Sequence, residues 1–269
     1  MVTYWPNYYK EFRCKAGDCL HTCCAGWEIG IDKKSLKRFM SDPAIASKIK
    51  AGGFVLRADG RCPFLRDDNL CEMIIDHGED YICDICKEHP RFYNDCGDHI
   101  EAGIGLVCEE ACRIVLGQEN GFELIADNGT RMELPEYVVK VFDKTKPLTE
   151  RLNDISGGRR ADSKLRAEIF DGMEVLDSKW TELLKKIIKN PVSKEDEDRA
   201  VNENEKALAD FAGYLLYRYK GAGRFAAEAT YLIANLASLG CGIEEVARDF
   251  SGEVEYSDIN IDEALETFG

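Results

Sequence analysis

The residues of this chain that could do chemistry are thiols. Twelve of its 269 residues are cysteine, and four of these, Cys14, Cys19, Cys23 and Cys24, fall in the stretch CKAGDCLHTCCAGW. Cys62 and Cys71 follow in CPFLRDDNLC, Cys83 and Cys86 in CDIC, then a lone Cys96, and Cys108 and Cys112 in CEEAC; Cys241 lies far from the rest. An isolated core cysteine serves as a small hydrophobe, which gives no reason for clustering or for two adjacent cysteines among Gly, Asp, His and Thr. Metal ligation does, because short loops bring several thiolates around one centre at small entropic cost. An even cysteine count also permits a disulfide framework. Against that, MVTYWPNYYKEF has no basic segment followed by the apolar run of a secretory signal. The chain is long enough to build a core without staples, and its sulfur is confined to one half. A reduced, thiol-rich site in a cytoplasmic protein is the expectation.

Spacing alone leaves the metal open. Zinc commonly takes two CxxC knuckles, and here Cys83 and Cys86 supply just one. Iron–sulfur clusters also take four thiolates, with more varied spacing, and Cx4CxxxCC is compatible with them. The usual radical loop CxxxCxxC does not fit, since Cys19 and Cys23 have the first gap but position 26 is Gly. Adjacent side chains diverge, so Cys23 and Cys24 need not share an ion. His21 is either a nitrogen ligand or an exposed loop residue. Cys108 and Cys112, at i and i+4, would share a helix face, although Cys112 beside Ile114 and Val115 also reads as core. Trp27 is expected to pack as an apolar shield for the site.

The formal net charge of −15 opposes non-specific binding to nucleic acid and to anionic lipid. FAAEATYLIANLASLG, the most apolar stretch, is interrupted by Glu228 and Asn235 and is too short to span a bilayer. No nucleic-acid partner and no membrane segment are expected.

Several elements must position the thiols. Asp32 is a candidate N-cap for a helix over KKSLKRFM, and Asp42-Pro43 opens a second helix that Gly52 and Gly53 stop. Asp59-Gly60 predicts a hairpin in FVLRADGRCPFL that delivers Cys62 beside a strand. Short helices are expected over 70–75, 81–88 and 109–116, and hairpins in RFYNDCGDHIEAGIG and around Asn128-Gly129. From Pro135 onward the periodicity is helical, over 164–189, 195–220, 223–239 and 243–250. Nothing alternates strand with helix in the βαβ manner, and there is no Gly-rich phosphate loop. The fold class is therefore α+β, with a cysteine-rich metal-binding region of short strands and helices over 1–130 and a mainly helical region over 131–269.

The motifs together resemble a known family. YYKEFRCKAGDCLHTCCAGWEIGID, GRCPFL with LC, CKEHPRF and LVCEEACRIVL are similar to the flagellin lysine-N-methylases, themselves similar to a wider group of cysteine-rich zinc- or iron-chelating proteins. FAGYLLYRY resembles the family's tyrosine-rich helix, and DFSGEVEYSDINIDEAL its C-terminal motif of paired glutamates followed by Asn. The resemblance implies an iron–sulfur protein, with a 4Fe-4S cluster or zinc as the alternative metal. It further implies that S-adenosylmethionine is used to methylate lysine ε-amines of flagellin or another lysine-bearing protein. Carried over residue by residue, the ligand positions are Cys14, Cys19, Cys23, Cys24, Cys62, Cys71, Cys86 and Cys108; Cys83, Cys96, Cys112 and Cys241 stand outside the pattern. Glu253 and Glu255, with Asn260, are the candidates to orient and deprotonate the amine, against a reading as a solvated acidic segment. Tyr214, Tyr217 and Tyr219 read as core and surface aromatics or as an amine cage. The alternative function is an iron–sulfur or zinc-binding redox or interaction module without methylase activity.

Overall fold

In the computed structural model, which describes residues 1–118 and 120–269, the predicted caps act as caps. Asp32 accepts a hydrogen bond from Ser35 N at 2.8 Å and opens the helix Lys33–Phe39. Asp42 accepts from Ala44 N at 2.9 Å ahead of Pro43–Ala46. That second helix ends earlier than Gly52 and Gly53 imply. Ala51 and Gly52, both at positive φ, instead turn a two-residue hairpin between β2, Ile49–Lys50, and β3, Gly53–Phe54. At Asp59-Gly60 the chain does turn, with Gly60 N donating to Arg57 O, but no strand ladder flanks it. One isolated bridge, Ala25 with Arg61, holds Cys62 beside Cys24 instead, and Cys62 N donates to Cys24 O at 2.7 Å.

Two units make up the chain. One, the cysteine unit, comprises Arg13–Phe92 and Cys108–Glu110; the other, the helical unit, comprises Met1–Phe12, Tyr93–Val107 and Ala111–Gly269. The compositional division at residue 130 does not coincide with this one. The reason is a mixed sheet built from segments far apart in sequence: β4, Arg91–Asp95, β5, His99–Ile104, β1, Val2–Pro6, β6, Leu124–Ala126, and β7, Arg131–Met132, in that spatial order. In it β1 runs parallel to β5 (Thr3 opposite Ile100) and antiparallel to β6 (Trp5 opposite Ile125). The hairpin at Asn128-Gly129 forms, with Gly129 in the left-handed region.

In the helical unit, helix Gly223–Ser238 is enclosed on all sides, every residue from Phe225 to Leu236 being buried. Ile243–Phe250 has the predicted bounds. The predicted helix over 164–189 is broken into Ser163–Asp171 and Ser178–Lys189, because Asp177 caps a new start by accepting from Lys179 N. The one over 195–220 is interrupted at Asn204 into Lys194–Glu203 and Glu205–Arg218. Gly213 lies mid-helix, where Gly costs about 1 kcal/mol relative to Ala. A Cβ there would meet the Phe142 ring at 2.4 Å, so close packing requires the glycine.

Buried charge ties this unit together. Arg166 and Glu228, both with fully enclosed side chains, pair at 2.8 Å; Arg166 also pairs with Glu197, which accepts from Asn235 Nδ2 at 2.7 Å and from Arg160 Nε at 2.8 Å. Ala161 N completes the Glu228 carboxylate at 2.7 Å. Among the described residues no helix is long and apolar enough to cross a membrane. The architecture is α+β, as the periodicities imply.

Candidate metal centre

All twelve cysteines are thiols, none in a disulfide. Nine of them, Cys14, Cys19, Cys23, Cys24, Cys62, Cys71, Cys83, Cys86 and Cys108, belong to the cysteine unit, where they form two sets, one in or against an apolar core and one outside it, joined at Cys23 and Cys24. The first is Cys24, Cys62, Cys71, Cys83 and Cys86, which lie in or against an apolar core with Ile29, Phe39, Phe54, Phe64 and Met73. Burial pushes the Cys62 thiol up to about 11, with Cys24, Cys71 and Cys83 adding to the rise. Cys71 is raised by burial in the same way. Cys83 and Cys86 approach to 3.4 Å; their shared hydrogen bond favours the thiolate on Cys83 and, with burial, the thiol on Cys86.

The elements that deliver these sulfurs follow from local sequence. Leu65 N turns back on Cys62 O, and Leu65 bridges Cys71, which opens helix Glu72–His77. Cys83 opens helix Asp84–Glu88, and Asp32 reaches it too, accepting from Asp84 N at 3.0 Å. One carboxylate therefore fixes two helix starts, and these backbone hydrogen bonds, that from Ser35 foremost, hold it down at about 2. Arg38 donates to Tyr81 O at 2.6 Å and lies 4.5 Å from the Tyr81 ring centroid, bracing the approach to Cys83. Trp27 packs against this core, its indole N–H donating to Cys23 O.

The second set is Cys14, Cys19, Cys23 and Cys108. The Cys23 thiol is raised first by its hydrogen bond with Cys24, with Cys14 and Cys108 contributing. Cys19 is raised by burial, with Glu109 and Cys14 adding. Adjacent Cys23 and Cys24 share a hydrogen bond, so the two sets meet at this pair and the divergence expected of neighbouring side chains is not found. Glu109 clamps the loop that carries this set. Its carboxylate pairs with Lys15, and its Oε2 accepts from Leu20 N at 3.0 Å and His21 N at 3.1 Å and lies 3.0 Å from His21 Nδ1. Partial burial opposes ionisation, but the bonds from Lys15 and His21 prevail and hold Glu109 at about 2. Its contribution is then full above the ordinary carboxylate range and is lost as pH falls through about 2. Glu109→Ala should free residues 14–23, and Cys14 and Cys19 should react with a thiol reagent several-fold faster at pH 7; unchanged rates would contradict the clamp.

Two features escaped the sequence. Cys83 stands outside the family pattern yet sits in the first set, and its CDIC pairing with Cys86 was the available signal. Glu109 acts on residues about ninety positions away, which no local pattern reveals. Cys112, by contrast, is buried in the helical unit, its thiol donating to Glu244 O at 3.4 Å. Cys241 belongs to that unit as well.

Glu253 and Glu255 are both buried, in the π-helical segment Ser251–Glu255 of the helical unit. Glu253 accepts from Leu176 N at 3.0 Å, and burial raises its carboxyl. Asn260 Nδ2 donates to Glu253 O at 2.6 Å and to Glu174 O at 2.9 Å. Glu255 Oε1 accepts from Tyr214 and Tyr219 hydroxyls, each at 2.9 Å, and faces Arg218 at 3.1 Å, while Oε2 is buried without a hydrogen bond. Tyr217 donates to Ala102 O instead.

The helical unit also holds a cavity of about 500 Å³ lined by Gln118, Phe142, Lys144, Lys206 and Asp210. Asp210 Oδ2 has no hydrogen bond there, and burial raises its carboxyl to about 8. A raised carboxyl binds its proton more tightly when folded, so stability falls as pH rises from about 4 to about 8 and levels off beyond. Asp210→Asn should flatten that decline. Parallel curves of melting temperature against pH for the two proteins would contradict it.

Comparison with known proteins bears out the resemblance. The chain is 23% identical to a lysine-N-methylase of Salmonella choleraesuis (strain SC-B67), over 44% of this chain and 33% of that protein. It is 25% identical to the flagellar biosynthetic protein FliU of Salmonella muenchen, over 44% of this chain and 79% of that protein. A lysine-N-methylase of Salmonella typhimurium (strain LT2) is 22% identical over the same shares as the first, so the chain spans about a third of the length of the two methylases. No family model and no solved structure matches.

Proposed function

We propose that this protein is an iron–sulfur-dependent protein-lysine N-methyltransferase that acts on flagellin or a similar lysine-bearing protein, with S-adenosylmethionine as methyl donor. The observation that carries the reading is the gathering of nine thiols of one unit into two sets, in a chain whose relatives bear the name lysine-N-methylase. The donor chemistry fits: each set offers at least four sulfurs, the number an iron–sulfur cluster takes. In this reading Cys24, Cys62, Cys71, Cys83 and Cys86 supply the ligands of one centre, and Cys14, Cys19, Cys23 and Cys108 those of another. When bound, such a centre supplies one-electron chemistry or a Lewis-acidic iron.

The chain's own residues do the remaining work. Glu109 and Asp32 fix the loops from which the thiolates project. Glu255 is the carboxylate assigned to the incoming amine, supported by its hydrogen-bond-free Oε2 and by the π-helical segment that bears it, a distortion frequent at functional sites. Glu253 is assigned to position that segment through Leu176. Glu255 is enclosed, so the groups around it, Tyr219 and Arg218 among them, must part before an amine reaches it. The net charge of −15 favours encounter with lysine-rich surfaces.

The experiment is incubation of anaerobically reconstituted protein with flagellin and labelled S-adenosylmethionine, with and without reductant. Label in lysine supports the reading, and dependence on reductant assigns the transfer to redox chemistry. No transfer under either condition, with no binding of S-adenosylmethionine, hands the protein to a second reading, a redox or interaction module. That reading is favoured by the placement of the first set inside an apolar core, where metal would contribute folding energy.

A further inference from the structure

A different group of donors lies in the helical unit, apart from the nine thiols. Among the described residues, Cys96, His99 and Glu101 are the group of three whose ligand atoms all lie within 4.8 Å of one another. The β4–β5 hairpin builds it. Cys96 N donates to His99 O at 3.0 Å across the turn, where Gly97 is left-handed, and His99 and Glu101 project from the same face of β5 at i and i+2. His99 Nε2 already stands 3.3 Å from Glu101 Oε1. Tetrahedral ligation at about 2.0–2.3 Å places donor atoms roughly 3.3–3.8 Å apart, so small side-chain rotations close the group on an ion.

Two further observations point to a cation here. The other ring nitrogen, Nδ1, is held by Asp98 at 2.6 Å. A carboxylate on the far side of the ring is how metal-bound histidines are commonly oriented. The second is Lys220, whose ammonium lies 3.1 Å from Cys96 Sγ and pairs with the nearly enclosed Glu101. Lys220 is a non-glycine residue at φ 50, followed by Gly221 at φ 81 against the Tyr137 ring. A strained residue therefore delivers a positive charge to the point that the sulfur and the carboxylate share.

We propose that Cys96, His99 and Glu101 bind a divalent transition metal of the zinc class, and that Lys220 is the cation that holds the place in the metal-free protein. The sulfur, imidazole and carboxylate donors are the mixed set that zinc accepts, and three protein ligands leave a position for water. On binding, the ion displaces the Lys220 ammonium to solvent, which its 42% side-chain exposure permits, and the Cys96 thiol gives up its proton. The site is independent of the methylase reading, since it uses none of the residues assigned there.

The test is zinc uptake by the full-length protein after its other thiols have been loaded anaerobically with iron and sulfide. Wild type should take up about one equivalent more zinc than Cys96→Ser or His99→Ala, and an anomalous map at the zinc edge should place that ion between the three side chains. Lys220→Met removes the competing ammonium and should bind the same equivalent at about tenfold lower free zinc. Its melting temperature, lowered without zinc by loss of the ammonium that pairs with the nearly enclosed Glu101, should recover on zinc addition. Equal uptake by wild type and both ligand variants, or anomalous density confined to residues 13–92, would overturn the proposal.

Discussion

Glu228→Ala should be among the most damaging single substitutions in the chain, lowering stability by about 3–5 kcal/mol. It removes one of the two carboxylates that neutralise a fully enclosed Arg166, leaving Glu197 to serve both Arg166 and Arg160, and it leaves Ala161 N without its acceptor. At the ordinary entropy of unfolding for a chain of this size, the melting temperature should fall by on the order of 10 °C. The paired replacement Arg166→Met with Glu228→Leu should cost far less, because it removes both charges, and Glu197 keeps Arg160 and Asn235. Thermal unfolding of the three proteins decides the point. A single mutant within about 1 kcal/mol of wild type would mean that the network contributes little, and a double mutant worse than the single would mean that Arg166 stabilises the fold through Glu197 even without Glu228.

The second large effect is expected at the thiols. Cys62→Ser and Cys83→Ser each place a hydroxyl, a poor ligand for soft metals, in the core that holds Ile29, Phe54 and Phe64. Metal content and melting temperature should fall together in both variants, because ligation and folding of a small metal-bearing unit are one equilibrium. Cys241→Ser should be nearly silent, since Cys241 lies in the helical unit. Cys83→Ser is the more informative of the pair, because the family pattern leaves that position out. If it retained full metal content, the first set would reduce to Cys24, Cys62, Cys71 and Cys86.

The sequence made the local features legible and left the long-range ones hidden. Asp32, Asp42 and Asn128-Gly129 were readable because caps and turns act within four residues. The left-handed Ala51 that turns β2 into β3 carried no signal, since alanine seldom adopts that conformation, and Gly52 and Gly53 were available as a helix stop instead. Asn204 breaks a periodic stretch that its neighbours would have continued. At the candidate metal centre, spacing announced the thiols of residues 14–24, but their division into two sets depends on where the core lies. Glu109 and Asp32 act across loops, so their second roles appear only in three dimensions. His99 and Glu101 did carry a period-two signal beside Cys96, in a stretch recognised as a hairpin but not as a ligand set.

The reading rests above all on what the nine thiols of the cysteine unit hold. Iron, acid-labile sulfide and zinc should be measured per chain in protein purified without oxygen, together with the visible absorption spectrum. The predicted result is a brown protein with broad charge-transfer absorption, iron and sulfide in equal amounts at about four irons per centre, both lost in Cys62→Ser. A colourless protein with stoichiometric zinc and neither iron nor sulfide would contradict it.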